Sequence, residues 1–442
     1  MGSYSFLSID GIKMRSVEDD FDPNVMILFD ETDKRVRPYF HDIERNQQFE
    51  DWEEFPENII EYAASLAVIR DRLEFMGFTM SKTECIFQEG VHDRLNDLAR
   101  SRTEPYWAKN DRSRSFLDQE EAVWQELTFE KWLEGFKCIV ANKLLPSRAY
   151  DWRDQKSFPQ ELPLTVRYML DKSDWEYEFF GFPSYDCRAF IRAALEIIGI
   201  QAELSYDLTE CSIGEYFNAS EDFCASARWR MSDDHTIQKV VVLTEGKSDI
   251  RVLEGSLRLL YPHLVNYYSF MDFEVAKVSG SASELVKTVK AFIGAGISNR
   301  IVAFFDNDTA ARSAMRALKD VKLPENVRVL RYPDIQIATN YPTLGPQGTV
   351  IMNVNRLAGS LELYLGLDVL KSDDGSLTPI QWRGYDEVLQ QYQGEVLNKG
   401  NLQAKFEANL KLCYQDKSMI DKFDWSGIQA ILGELRTAFH EK

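Results

Sequence analysis

The sequence has few of the residues that build disulfide frameworks or nitrogen and sulfur metal sites. Its six cysteines are scattered without a C-x-x-C pair, and no two of its five histidines have the spacing of ligands on one helix. This pattern excludes a disulfide scaffold and a zinc knuckle. Any bound metal must therefore rest on oxygen ligands, which favours Mg²⁺ or Mn²⁺.

Long apolar runs are also missing. No stretch of about 18 or more apolar residues occurs, so the sequence predicts no membrane span. The first residues, Met1–Phe6, contain neither a basic segment nor an apolar segment of the kind found in secretory signals. We therefore expect a cytoplasmic protein that has no membrane partner.

An excess of positive charge is absent as well. The 442 residues carry 71 acidic and 51 basic side chains, a formal charge of -20. The excess lies in residues 1–235, with 47 acidic and 27 basic residues, whereas residues 236–442 have 24 of each. Because nucleic-acid-binding surfaces are normally basic, such a role must belong to the neutral half or depend on bound cations. The acidic half indicates either solubility alone or a basic partner.

The pattern of residues 1–235 predicts a small β element followed by a mainly helical domain. Two strands are expected at the start and four helices afterwards, with an exposed loop over 101–118. The predicted strands are 4–9 and 25–29, and the predicted helices are 59–75, 81–97, 119–145 and 184–198, the last with Ser184 as N-cap and Gly199 as C-cap.

Residues 236–442 have a different pattern, in which short apolar strands alternate with amphipathic helices. This alternation is typical of a parallel α/β sheet, here with a core over 237–335. The predicted strands are 239–243, 273–278, 300–305 and 326–330, and the helices are 249–260, 281–294 and 309–320. A loop over 334–350 and helices at 360–369, 385–397, 402–414 and 428–440 predict a helical C-terminal extension. The predicted fold class is α+β, in two domains.

Acidic residues follow two of the predicted parallel strands. Glu245 comes after the first strand and Asp249 begins the next helix, while Asp306 and Asp308 follow the strand 300–305. Sites in parallel α/β sheets form outside the carboxyl ends of the strands, so these four carboxylates should meet. Like charges held together must be neutralised by protons or cations. The sequence therefore predicts a site for one or two Mg²⁺ or Mn²⁺ ions.

These segments also allow two other interpretations. A phosphate-binding P-loop needs glycine where the chain has Val241, so Gly246-Lys247-Ser248 does not form one. The Asp306-Asn307-Asp308 segment also resembles the nucleophile motif of haloacid-dehalogenase phosphatases, but Ala310 stands where that family has a hydroxyl residue. The phosphatase stays the less favoured alternative.

An apolar strand ending in Glu-Gly-x-x-Asp, followed two βα units later by a strand ending in Asp-x-Asp, resembles the Toprim domain of topoisomerases, primases and overcoming-lysogenization-defect nucleases. The resemblance covers residues 237 to 335. It implies that Glu245 is the catalytic acid/base, that Asp306 and Asp308 are catalytic metal ligands, and that Asp249 is a further metal-site acid.

The resemblance extends more weakly beyond residue 335. The segment 359–365 resembles the later acidic motif of the nuclease branch, which implies that Glu362 completes the metal site. An acidic residue on the outer face of a helix is an equally good interpretation of Glu362. Lys399 and Lys405 lie where that branch often supplies a catalytic lysine.

The first half has a resemblance of its own. Met1–Tyr4, Asp22–Phe29, Asp33–Val36 and Ala67–Glu74 resemble the N-terminal domain of bacterial HEPN/Toprim proteins. That family joins a HEPN-type helical region to a Toprim domain and is associated with defence against phage. Active HEPN ribonucleases carry R-x(4-6)-H on a helix.

Three Arg/His pairs of the chain fit that spacing: Arg35 with His41, Arg230 with His235 and Arg258 with His263. Because the chain has many arginines, such matches are expected by chance. Two of the three pairs also have a proline between them. We favour a helical scaffold or a partner-binding surface over a ribonuclease for this half.

Together these patterns predict a cytoplasmic, Mg²⁺-dependent Toprim endonuclease that cleaves DNA or tRNA, in antiphage defence. The alternative from another class is a regulatory or assembly subunit, whose acidic helical half binds a partner ATPase or a second copy of the chain.

Overall fold

A computed structural model describes residues 3–38, 58–104, 111–147, 149–173, 179–213, 216–218, 220–271 and 280–440. These residues form two compact units, one up to Asp233 and the other over Asp234–His440. The two units are described in turn.

The first unit contains a five-stranded antiparallel sheet. Its strands are β1 (Tyr4–Ile9), β2 (Ile12–Glu18), β3 (Lys34–Pro38), β4 (Asn58–Ser65) and β5 (Glu203–Asp207), in the order β2-β1-β5-β4-β3. Asp10 and Gly11, both with positive φ, connect β1 to β2 as a tight hairpin. Because β5 comes late in the chain yet pairs with β1 and β4, it ties the two ends of this unit together.

Helices are the other main elements among the described residues of the first unit. They are α1 (Pro23–Met26), α2 (Leu66–Phe75), α3 (Met80–Ser101), α4 (Asp111–Glu126), α5 (Phe129–Ala141), α6 (Leu164–Asp171), α7 (Cys187–Ile198), α8 (Thr209–Ile213) and α9 (Phe223–Arg230). Side-chain oxygens cap several of them, as expected for helix starts: Ser65 accepts from the backbone of Val68, and Thr79 from that of Lys82.

Trp132 on α5 is the centre of the helical core. Its side chain is fully buried and stacks on Phe136 with ring centroids 5.1 Å apart, and it meets Phe182 and Phe190 edge-on at 5.1 and 5.9 Å. The indole nitrogen donates to the carbonyl oxygen of Phe180 at 2.9 Å. The ring is therefore both packed and satisfied, as a buried tryptophan requires.

The second unit begins with a four-stranded parallel sheet. Its strands are β6 (Val240–Leu243), β7 (Tyr268–Phe270), β8 (Ile301–Phe305) and β10 (Val327–Arg331), in the order β10-β8-β6-β7. Every residue of β8 is buried, as expected for an inner parallel strand with both faces covered. The covering helices are α10 (Lys247–Leu260), α11 (Ala282–Gly294) and α12 (Thr309–Met315).

A second sheet follows in the same unit. Strands β11 (Tyr341–Gly345), β12 (Gly348–Met352), β14 (Ile380–Asp386) and β15 (Gln391–Val396) pair in the order β12-β11-β14-β15. A two-residue pairing joins β9 (Asn307–Asp308) to β13 (Ala358–Gly359). The remaining helices are α13 (Leu367–Leu370), α14 (Lys399–Gln415) and α15 (Ser426–Arg436).

The α+β class predicted from the sequence is confirmed, while several segments of the first half differ from prediction. Residues 25–29 are not a strand, because Asp22 caps α1 and Pro23 starts it. The predicted helix 59–75 is strand β4 up to Ser65 and helix α2 after it, since a fully buried apolar run fits either structure. The predicted loop 101–118 contains the first half of α4, and Thr128 breaks the predicted helix 119–145 in two.

Smaller differences concern caps and the second half. Asp186, not Ser184, caps α7, although Gly199 does end that helix with a φ of 91°. The predicted loop 334–350 contains the hairpin β11–β12, and the predicted helix 385–397 is the hairpin β14–β15, so the C-terminal extension is helical only in part. The predicted strand 273–278 lies outside the described residues. No helix within the described ranges is long and apolar enough to cross a membrane.

Candidate metal centre

Glu245 and Asp306 follow the ends of two neighbouring parallel strands. β6 ends at Leu243 and β8 at Phe305, and these neighbouring strands bring the two acidic residues to one edge of the sheet. A carboxylate oxygen of Glu245 accepts the backbone N–H of Asp306 at 2.9 Å. The two acids that were expected to meet at this edge of the sheet are therefore in direct contact.

Asp249 lies in the first turn of α10 with its side chain buried. Its carboxylate accepts the backbone N–H of Gly246 at 2.8 Å, which closes the turn between β6 and α10. Gly280 packs on that turn so closely that a Cβ atom there would lie 2.8 Å from the carbonyl oxygen of Glu245. The turn that presents Glu245 is thus fixed from both sides.

Asp308 caps helix α12. One carboxylate oxygen accepts the backbone N–H of Ala311 at 2.7 Å, and the other accepts from the Gln393 side-chain amide at 2.7 Å. The carbonyl oxygen of the same amide accepts the backbone N–H of Ala310 at 2.8 Å. Strand β15, which carries Gln393, therefore holds Asp308 in place across 85 residues of sequence.

Glu362 is buried, with 4% of its surface exposed, which excludes the outer helix face as its position. Its carboxylate accepts from the Ser360 hydroxyl and from the Gln403 amide, each at 2.7 Å. The Lys399 ammonium lies 3.6 Å from the same carboxylate. Glu362 is thus a buried carboxyl group held by three side chains.

Asp306 is the least satisfied of these acids. Its Oδ1 atom is buried and has no hydrogen-bond partner. Burial raises the pKa of Asp306 well above its ordinary value, and the negative charges of Glu245, Asp249, Asp308 and Glu362 raise it further. All five predicted metal-site acids therefore act on one another at this edge, and we call Glu245, Asp249, Asp306, Asp308 and Glu362 the carboxylate cluster.

The other members of the carboxylate cluster are perturbed in the same direction. Burial, followed by the charges of Asp308 and Asp249, raises the pKa of Glu245 to about 8. Burial and the charge of Glu362 raise the pKa of Asp249 to about 7, and burial raises the pKa of Asp308. Burial is the largest cause of all three shifts, and the neighbouring negative charges add to it at Glu245 and Asp249.

The two predicted lysines occupy different places. Lys399 at the start of α14 faces the carboxylate cluster; burial lowers its pKa, but the charges of Glu362, Asp306 and Glu395 together raise it above the ordinary value. Lys405 instead donates to the carbonyl oxygens of Asp368 at 2.8 Å and Lys371 at 2.9 Å. These bonds satisfy the end of α13, so its position does not support a catalytic role.

Three polar residues of the site were not predicted. Gln393 lies in a segment whose pattern predicted a helix, and Gln403 lies on a helix with no local signal for its partner. Asn307, between the two predicted acids, turns away and donates to Asp334 at 2.9 Å. Each acts through a contact between segments far apart in sequence, and no short motif encodes such a contact.

Gly359 permits the close pairing of β13 with β9. A Cβ atom there would lie 2.7 Å from the carbonyl oxygen of Asn307. We expect Gly359→Val to lower the free energy of unfolding by about 1–3 kcal/mol, because the strands must separate. Gly433 on α15 has open space around it and is the control, since Gly433→Ala should be neutral or stabilising. Urea denaturation measures both; equal stability of the two variants would contradict the argument.

Another group of potential ligands lies in the first unit. Within the described residues, Glu31, Asp222 and Cys224 are the ones whose ligand atoms all lie within 4.8 Å of one another, so the carboxylate cluster is more open than this group. Glu31 already accepts from the Tyr62 hydroxyl at 2.7 Å and pairs with Lys34 at 2.8 Å. This group is therefore a satisfied polar contact on a largely exposed surface.

Two of the three Arg/His pairs do not have the setting of an active HEPN ribonuclease. Arg35 lies on strand β3, where it pairs with Glu203, and not on a helix; His41 lies outside the described residues. Arg258 pairs with Glu254 at 2.7 Å on α10, and the helix ends before His263. The contact of Arg35 favours a scaffold for the first half, whereas Arg258 and His263 belong to the second unit.

The second unit thus belongs to the class of parallel α/β domains with acidic residues gathered at the carboxyl edge of the sheet. For the chain as a whole, a family model described as "HEPN/Toprim N-terminal domain 1" matches residues 1–230. The chain belongs to this family, as the resemblance of its first half predicted. No curated protein and no solved structure matches the chain.

Proposed function

We propose that the second unit is a Toprim nuclease that hydrolyses phosphodiester bonds of DNA or RNA with one or two Mg²⁺ or Mn²⁺ ions. The observation that carries this proposal is the gathering of five acids at one sheet edge, with the Asp306 Oδ1 atom buried and unpartnered. Membership of the HEPN/Toprim family agrees with it. A role in antiphage defence belongs to the same proposal.

The donor set fits a hard divalent cation. Its ligand atoms are carboxylate oxygens, which Mg²⁺ and Mn²⁺ prefer. Glu245, Asp306 and Asp308 would hold the metal, with Asp249 and Glu362 completing its surroundings. When bound, the metal would supply Lewis-acid stabilisation of phosphate charge and a water of lowered pKa.

The chain's own groups have separable tasks. Burial raises the pKa of Glu245 to about 8 in the metal-free site, which suits this residue to general acid/base work, and it would lose its proton where it ligates the metal. Lys399 places a positive charge beside the acids and can contact a substrate phosphate. Gln393 and Gln403 orient Asp308 and Glu362 and are positioning residues.

The test is cleavage of plasmid DNA and of tRNA by the full chain in Mg²⁺, in Mn²⁺ and in EDTA. We expect cleavage of at least one substrate with metal and none in EDTA. Cleavage that persists in EDTA, or no cleavage of either substrate in any metal, would overturn the proposal. Hydrolysis of p-nitrophenyl phosphate without nuclease activity would instead favour a phosphatase.

A further inference from the structure

A large cavity lies on the second sheet of this unit. It has a volume of about 740 Å³ and is lined on one side by Trp382, Tyr385 and Tyr392. The rings of Tyr385 and Tyr392 meet edge-on with centroids 5.0 Å apart, and those of Trp382 and Tyr392 lie 6.2 Å apart. Tyr385 and Tyr392 are 51% and 58% exposed. Aromatic faces left open to water in a cavity mark a binding surface.

Strand β15 joins this cavity to the carboxylate cluster. Successive side chains of a strand point to opposite faces. Gln393 accordingly reaches Asp308 at 2.7 Å, while its neighbour Tyr392 lines the cavity. The carbonyl oxygen of Tyr392 also accepts from the Thr309 hydroxyl, one residue beyond Asp308, at 2.8 Å. Strand β15 therefore contacts both sites, the cavity through Gln391 and Tyr392 and the carboxylate cluster through Gln393.

Three arginines lie close together beside the same strand ends. Arg331 ends β10, and its pKa is lowered first by burial and then by the positive charges of Arg312 and Arg356. The Nη1 atom of Arg331 is buried without a hydrogen-bond partner. Arg312 donates to the side chain of Gln391, which also lines the cavity. We call Arg312, Arg331 and Arg356 the arginine cluster.

The charge around the cavity contrasts with the acidic chain. Among the described residues, none of those that line the cavity is acidic, and Arg383 is one of them. The neighbouring acids are already paired: Asp334 with Arg356 at 2.8 Å and Glu395 with Arg383. Asp386 at the end of β14 accepts backbone N–H groups of its own turn and faces Arg316. Arg331 and Arg356 share the single charge of Asp334, so the arginine cluster keeps a net positive charge.

We propose that the aromatic cavity and the arginine cluster together bind a single-stranded segment of nucleic acid, with an unpaired base on the aromatic rings and a backbone phosphate on the arginines. This inference rests on the proposed nuclease function and deepens it, because it names the form of the substrate. Base stacking on exposed aromatic rings requires a base free of its complement. Guanidinium groups match the geometry of phosphate oxygens.

A second copy of the chain is the competing occupant. Edge strand β12 carries Val350, Ile351 and Met352, which are 50%, 59% and 41% exposed, and such an edge can pair with another strand. Edge pairing would cover these residues, but it gives no task to the arginine cluster or to its unpartnered Nη1 atom. The arginines therefore favour nucleic acid as the occupant.

The experiment measures the binding of fluorescently labelled, unstructured DNA and RNA oligonucleotides of about 12 nucleotides to the full chain by anisotropy in EDTA. Chelation removes cleavage from the measurement. The variants are Tyr385→Leu, which removes a ring while keeping an apolar side chain, and Arg312→Ala. The matched controls are Tyr414→Leu, a 48% exposed tyrosine of the same unit, and Arg258→Ala, an arginine ion-paired on α10.

We expect Tyr385→Leu to weaken binding about fivefold or more, as stacked aromatic residues do. Arg312→Ala should weaken binding and reduce the slope of log affinity against log salt by about 0.7, the value for one phosphate contact on a single strand. Both controls should bind as wild type does. The salt slope would not change if Arg312 only supported the fold.

Three results would overturn this inference: no binding of either oligonucleotide by wild type, binding by Tyr385→Leu and Arg312→Ala equal to that of the controls, or a loss of binding that follows the loss of a dimer seen by light scattering. The last result would identify a second copy as the occupant. If the oligonucleotides bind as expected but are not cleaved in the presence of metal, the nuclease proposal is wrong and the proposed binding site is still supported.

Discussion

Asp306→Asn is expected to lose metal-dependent cleavage by about 10²–10³-fold or more, the cost of removing one group that stabilises charge in a reaction. The substitution keeps the shape of the side chain but removes the negative charge of the acid that lies in the middle of the carboxylate cluster. The buried Oδ1 atom, which has no partner in the protein, is the atom that this proposal assigns to the metal.

The same variant separates a catalytic defect from a folding defect. In EDTA, Asp306→Asn should be at least as stable as wild type, because an amide needs neither a proton nor a cation to be buried there. Mn²⁺ at about a hundred times its Kd should raise the Tm of wild type by roughly 5–10 °C and leave the variant nearly unchanged. Thermal unfolding with and without Mn²⁺ measures both effects.

Asp374→Asn is the matched control for this experiment. Asp374 is an exposed carboxylate of the same unit that accepts from the Ser376 hydroxyl in a turn. Its amide variant should cleave and respond to Mn²⁺ as wild type does. An Asp306→Asn protein that cleaves as fast as Asp374→Asn would remove Asp306 from the site.

Trp132→Ala is expected to have the largest effect on stability, about 3–5 kcal/mol of unfolding free energy. The substitution leaves a cavity between Phe136, Phe182 and Phe190, and the Phe180 carbonyl loses its donor. Because these partners come from α5, α7 and the chain before α7, the loss reaches the whole helical part of the first unit.

Urea denaturation followed by far-ultraviolet circular dichroism measures this loss. Trp229 on α9 is 78% exposed, so Trp229→Ala is the control and should change stability by less than about 0.5 kcal/mol. If Trp132→Ala unfolds at the same urea concentration as Trp229→Ala, the helical core is not organised around Trp132.

The meeting of these acids at one edge of the sheet could be predicted because their signals are local. An apolar run that ends in an acid, repeated at the right distance, leaves few choices once the strands are parallel, since parallel strands bring their carboxyl ends to one edge. β6 and β8 are such runs, and Glu245 and Asp306 follow them. The buried position of Glu362 could not be decided in this way, because a single acid in a helical pattern fits a buried or an exposed face.

The second sheet could not be predicted, for a physical reason. Tyr385, Leu389, Tyr392 and Val396 recur at the spacing of one face of a helix, although they lie on the hairpin of β14 and β15. The pairing of β14 with β11 determines that this segment is a strand. The sequence of one segment does not indicate which strand it will pair with. The pattern of the hairpin that holds Gln393 and the aromatic cavity therefore predicts a helix, and this prediction is wrong.

The strand β4 shows the same ambiguity in the first unit. Six consecutive residues of this strand are buried, so its pattern has neither the period of two that marks a half-exposed strand nor a polar face. Only Ser65, which caps α2, marks where strand changes to helix. This error does not change the predicted fold class. Neither the family match nor the alternation of strands and helices in the second half depends on the structure of β4.

The bond between Gln393 and Asp308 also bears on when the site comes into being. It spans 85 residues, and the bond between Gln403 and Glu362 spans 41. Contacts between such distant segments form late, after the parallel strands have been synthesised and have paired. A chain still emerging from the ribosome would hold Glu245, Asp306 and Asp308 on a folding sheet while lacking β15 and α14. Synthesis itself then delays the assembly of the carboxylate cluster until most of the second unit has been made.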